Sequence, residues 1–158
     1  MKNTFKRSGA ALISLVLLLV LAVSAGAASS QNVGVKFWKE RSDKESMANS
    51  GIDPDRTATL TRQANGTYTL TLPVMQVSKL GVTGYLSGLT IGDVIYDGTL
   101  TGDFNKATAV LTIKNLPASV LTGSDSNKAL AVTCSIKMDT ILLGDITTSA
   151  KMSIWVER

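Results

Sequence analysis

The sequence predicts an all-β protein, most simply two packed antiparallel sheets. Apolar and polar residues alternate with a period of two in run after run, the pattern of strands with one face in a core and the other in water. Asn65-Gly66 stands between two such runs and signals a hairpin, because both residues tolerate the positive φ of a type I′ turn. Past the N-terminal leader, an apolar period of 3.6 never lasts three turns, so no amphipathic helix competes with the strands.

In chain order, Met1–Ala27 has the three parts of a secretory signal peptide. Lys2, Lys6 and Arg7 come first, an apolar run from Ala10 to Val23 follows, and Ala25-Gly26-Ala27 forms a small-residue cleavage motif. The apolar run of 14 residues is too short for an ordinary spanning helix. With no Cys directly after the cleavage motif, a lipoprotein is not expected. The expected product is a secreted or cell-surface protein with no stable membrane span after signal cleavage. Residues 28–158 read as one domain, large enough to bury a core without covalent staples.

The first strand follows from Val33, Val35 and Phe37 alternating with Gly34, Lys36 and Trp38. A mostly polar run from Ser42 to Ile52 comes next, with Met47 in a patch able to make one or two helical turns. The hairpin strands are Thr57–Gln63, built around Ala58 and Leu60, and Thr67–Gln76, where Tyr68, Leu70, Leu72 and Val74 alternate with threonines. Gly81 to Gly84, Gly88, Gly92, Asp97-Gly98, Gly102-Asp103, Pro117 and Gly123 to Asn127 read as breaks between strands. Three further faces are apolar: Ala109, Leu111 and Ile113; Leu130, Val132, Cys134, Ile136 and Met138; and Met152, Ile154 and Val156.

Charge and chemistry narrow the function. The chain carries 16 Lys and Arg against 12 Asp and Glu, but three of the basic residues leave with the signal, so the remaining excess is a single positive charge. A basic footprint for nucleic acid is absent. The one cysteine, Cys134, cannot form an internal disulfide and reads as a small core hydrophobe. There is no His, which removes the commonest general base, the Ser-His-Asp and Cys-His arrangements and the usual zinc sites. Asp93, Asp97 and Asp103 fall among glycines and read as turn caps, with a weak calcium site as the alternative; Asp53-Pro54-Asp55 reads the same way. No phosphate-cradling glycine loop follows a strand and opens a helix. No enzyme and no bound metal are expected.

Trp38 and Trp155 fall on the polar faces of their strands. Each is either covered by a neighbour or available to stack on a sugar.

The order Val35-Lys36-Phe37-Trp38-Lys39-Glu40, Lys44-Glu45-Ser46-Met47-Ala48-Asn49, Ala58-Thr59-Leu60 and Asn65-Gly66-Thr67-Tyr68-Thr69-Leu70-Thr71-Leu72 resembles the near-iron-transporter (NEAT) domain of Gram-positive surface and secreted proteins. Gly81-Val82-Thr83-Gly84-Tyr85-Leu86 and the closing alternations, Ala131 to Met138 and Lys151 to Glu157, extend the resemblance over nearly the whole mature chain. It implies an immunoglobulin-like antiparallel β-sandwich with a short helix after the first strand, and haem held between that helix and the final hairpin. It also implies that Ser46 donates to a haem propionate and that Met47 and the residues after it cover the porphyrin face. Haem-binding members carry a Tyr-x-x-x-Tyr motif at the start of the last strand, whereas aligning on the closing alternation puts Ile146 and Ala150 near those positions.

Three functions therefore follow. The first is haem or porphyrin binding, or haem transfer in iron acquisition, with haem or another small apolar ligand as partner. The second is a non-catalytic cell-surface interaction or adhesion module of the same fold that has lost haem ligation, whose partner is a cell-surface protein. The third is a carbohydrate-binding module using Trp38 and Trp155.

Overall fold

The computed structural model describes residues 28–79, 81–140 and 144–158. The expected signal peptide, Met1–Ala27, lies outside them. The strands are β1 (Ser29–Lys39), β2 (Ala58–Arg62), β3 (Tyr68–Pro73), β4 (Val77–Lys79), β5 (Val82–Ile91), β6 (Val94–Thr101), β7 (Val110–Leu116), β8 (Leu130–Met138) and β9 (Ile146–Val156). Short 3-10 helices punctuate them: η1 (Met47–Gly51), η2 (Phe104–Lys106), η3 (Ala118–Val120) and η4 (Ser126–Lys128).

Every strand pairing is antiparallel. The hydrogen-bonded order β5-β6-β7-β3-β2-β1-β9-β8 returns to β5, closing a ring of eight strands, and β4 hangs on the start of β5. The two separate sheets expected from the alternation are thus one sheet closed on itself. Closure depends on β5, whose register against β8 shifts between Leu86 and Gly88. Such a bulge bends a strand and increases its twist, which lets β5 bond β6 on one edge and β8 on the other. The bulge also resets the alternation, so that Leu86 and Leu89, three residues apart, are both buried.

The core fills the ring. Phe37, Leu60, Leu70, Leu72, Leu111, Ile113, Met152 and Ile154 have no exposed surface. Burial of a side chain of this size stabilises by about 1.5–3 kcal/mol before entropy is counted. The predicted faces hold: Ala109, Leu111 and Ile113 are buried, as are Val132 and Cys134. Val156 departs from its expected face and is 45% exposed, because it stands at the last position of β9.

Several sequence expectations need correction. The hairpin joins β2 to β3 as predicted, but Gly66 has φ +83° while Asn65 is not among the positive-φ residues, so the turn is not type I′. The Gly66 N–H donates to Gln63 O at 3.0 Å, and Asn65 Oδ1 accepts from both the N–H and the hydroxyl of Thr67. The Asn65 side chain thus closes an Asx turn over Thr67. Asp97-Gly98, Gly84 and Gly88 lie inside strands β6 and β5, not at breaks. They serve close packing: a Cβ on Gly98 would collide with Leu111, and one on Gly88 with the carbonyl of Tyr96. The expected short helix after the first strand is present only as the 3-10 turn η1.

Candidate functional site

β1 runs past its partner β2, which pairs only with Ser29–Val33. On that edge, Phe37 would be left with an unmet N–H and C=O. The polar run after β1 supplies both partners. Ser46 N–H donates to Phe37 O at 2.9 Å, Phe37 N–H donates to Asn49 Oδ1 at 2.8 Å, and Asn49 Nδ2 donates to Phe37 O at 2.6 Å and to Ser46 O at 3.2 Å. Asn49 therefore latches η1 against β1.

Ser46 is the N-cap of η1, its Oγ accepting from Ala48 N–H at 3.3 Å, while Asn49 N–H donates to Ser46 O at 3.1 Å. At the start of η1 the N–H groups of Ala48 and Asn49 are already used. The Ser46 hydroxyl can still donate its own proton.

Ser46, Met47, Ala48 and Gly51 form one lip of a cavity of about 420 Å³. Val77 of β4 and Val82, Gly84, Tyr85 and Leu86 of β5 form a second wall, and Ile136 and Met138 of β8 with Ile146 and Thr148 of β9 complete it. The strand faces explain this gathering. Ile136 pairs with Leu86 and with Ile146, Met138 with Gly84, and Val77 with Gly84, so these side chains stand on one face of neighbouring strands. The lining residues are apolar apart from Ser46, Thr148 and Tyr85. Met47 and Ile146 are the most open parts, 58% and 45% exposed.

Ser46 and Met47, chosen from sequence alone, line this cavity together. Ile146 lies in the wall, while Ala150, four residues on, is buried in the core at 1% exposure. Met138 reaches the wall and Met152 does not. Sequence reasoning missed Asn49, Gly84 and Tyr85. The ring of Tyr85 rests on Phe104, with centroids 5.2 Å apart and planes tilted by 47°.

The two tryptophans sit elsewhere, on the outer face of the β1–β9 ladder. Trp38 Nε1 donates to Ser153 Oγ at 2.9 Å, and Lys36 Nζ stands 4.7 Å from its ring centroid. Lys36 also pairs with Glu45 at 2.5 Å. Trp155 packs over Gly34, its partner across the ladder. Both rings are half-buried and engaged with neighbours in the protein.

Cys134 is fully buried, and burial pushes its thiol up from 9.0 to about 12, so it behaves as a core hydrophobe. Asp103 caps η2 and Asp53 Oδ1 accepts from Asp55 N–H, which are turn roles; Asp97 lies within β6. Among the described residues no three His, Cys, Asp or Glu side chains cluster to hold a metal ion. No helix among them is long and apolar enough to cross a membrane.

The closed antiparallel sheet with a cavity where β5, β8 and β9 meet η1 defines a small all-β domain of NEAT-like fold. Solved structures similar to it include the NEAT5 domain of IsdX2, a B. anthracis hemophore, in complex with heme, and a point mutant of that domain in complex with heme. The TM-score is 0.53 for both, at 11% and 10% sequence identity, over 84% of this chain and 99% and 98% of theirs. No protein-family profile matches the sequence, and no curated protein matches it.

Proposed function

We propose that the protein is an exported binding module that holds haem or a related porphyrin in this cavity and passes it on in iron acquisition. The observation that carries the reading is the convergence of Ser46 and Met47 with Ile136, Met138 and Ile146 on one apolar cavity, in a fold shared with domains solved with heme. A volume of about 420 Å³ falls in the range of small-molecule sites. An apolar slot with a hydroxyl at its rim suits a flat hydrophobic ring that carries carboxylates. In this reading Ser46 donates to a propionate, and Met47, whose thioether is flexible and polarisable, covers one face of the ring.

The residues fit the macrocycle better than they fit the metal. Near the position of the tyrosine ligand of haem-binding NEAT domains, judged from the closing alternation, stands Ile146, an alkyl group, and the chain has no His. Binding, rather than catalysis, is the role these side chains support. Export through Met1–Ala27 belongs to the same proposal.

Titrating ferric haem into the purified protein tests it. The expected result is a saturable Soret shift at one haem per chain, with affinity falling at least about tenfold when Ser46→Ala and Met47→Asp are combined. A spectrum indistinguishable from free haem at every ratio would sink the reading. A second reading, a surface interaction module, is favoured by Val94 and Ile95, which are 52% and 67% exposed at the start of β6. It predicts loss of partner binding, with haem uptake unchanged, on Ile95→Asp.

A further inference from the structure

We infer that the cavity recognises the porphyrin through its apolar faces and carboxylates and not through a bond to the central metal, so that metal-free and metal-loaded porphyrins are held alike. This rests on the porphyrin reading above and specifies its substrate class.

The argument is one of donor atoms. Porphyrin iron is held in proteins by imidazole, thiolate, phenolate or thioether groups. Imidazole is absent from the chain. The thiol of Cys134 and the thioether of Met152 are both at 0% exposure in the core and contribute nothing to the cavity wall. Three donors remain in the wall: Tyr85, Met138 and Met47.

Each of these has other work or a poor position. The Tyr85 ring rests on Phe104, which is not a wall residue, so the ring is committed to a neighbour outside the cavity lining. The sulfur of Met138 is packed onto the β5 backbone, where a Cβ added to Gly84 would stand 2.8 Å from it. Met47 is 58% exposed on the lip, and a neutral thioether is a soft donor, poorly matched to ferric iron. Where a ligand from the start of β9 would enter, Ile146 presents an alkyl chain. Affinity then comes from burying the faces of the macrocycle, a driving force proportional to apolar area and indifferent to the metal at its centre.

The test compares metal-free protoporphyrin, zinc protoporphyrin and ferric haem on the purified protein, by fluorescence for the first two and quenching of tryptophan emission for all three. The expected dissociation constants agree within about fivefold. Met47→Leu and Met138→Leu, which remove sulfur while conserving volume, leave the Soret band of bound haem at its parent position, because no sulfur–iron bond is there to lose. A preference for ferric haem above about a hundredfold, or a shifted Soret band in either leucine variant, overturns the inference. If ferric haem is held and metal-free protoporphyrin is not, the inference falls and the haem reading stands. If none of the three is held, both fall.

Discussion

The indole of Trp155 occupies the space directly over the α-carbon of Gly34, its partner across the β1–β9 ladder, and a Cβ at position 34 would collide with three of its ring atoms. Glycine is required here for contact, not for backbone freedom. Gly34→Ala is expected to displace the ring and to destabilise the domain by about 1–3 kcal/mol, the usual penalty for overpacking. Urea denaturation checks the energy, and a red shift of the native tryptophan emission in a Trp38→Phe background checks the cause.

Asn49 holds η1 through both ends of its amide, accepting from Phe37 N–H and donating to Phe37 O and Ser46 O. Asn49→Asp keeps the acceptor and replaces the donor with an oxygen facing two carbonyls. The expected loss is about 2–3 kcal/mol of stability, since half-buried polar groups are left unmet or opposed. Ligand affinity should fall with it, while Asn49→Gln, which reaches differently but keeps the donor, recovers part of both. Equal stability of the Asp variant and the parent by thermal melting would refute the latch.

Gly84 and Met138 share one space at the cavity wall, with the carbonyl of Lys137 2.9 Å from any added Cβ. Gly84→Ala is predicted to push the Met138 side chain into the cavity and lower porphyrin affinity by about tenfold. The double variant Gly84→Ala with Met138→Ala relieves the contact with the Met138 sulfur while leaving that with the Lys137 carbonyl. Recovery of affinity in the double variant distinguishes lost volume from a general distortion of β5.

Burial raises the folded-state pKa of Cys134 to about 12 from 9.0. Below pH 9 the thiol is protonated in both states and contributes no pH dependence. Between pH 9 and about 12 the unfolded chain releases this proton while the folded one keeps it, so stability falls as pH rises, by at most about 1.4 kcal/mol per pH unit. Cys134→Ala should remove that part of the slope. Native protein should also resist thiol reagents until it unfolds; rapid labelling at neutral pH would contradict the burial.

Much of the fold was legible because alternation is a local signal. The inward faces of β1, β3, β7 and β8 were readable from spacing alone, and so was the existence of the β2–β3 hairpin. Glycine was misread where it served packing. Gly84, Gly88 and Gly98 looked like breaks, yet each lies in a strand because a neighbour occupies the place of its side chain. Which neighbour that is depends on strands distant in sequence, such as Leu111 beside Gly98 and Met138 beside Gly84. The turn type at Asn65 was misread for a different reason: Asn can cap a turn with its side chain or adopt positive φ, and sequence does not choose between them.

The sequence by itself determined an all-β domain with an apolar inner face and without histidine, while the polar run with Ser46 and Met47 stood out as a lip only through the resemblance to NEAT domains. Period-two alternation and residue chemistry decide the first two within a few neighbouring positions. Only the tertiary structure decided that β5 closes the sheet against β8, that Asn49 fixes the lip to Phe37, and that Gly84, Met138 and Ile146 meet Met47 around one cavity. Those relationships depend on register between strands far apart in the chain, set by the packing of the whole ring.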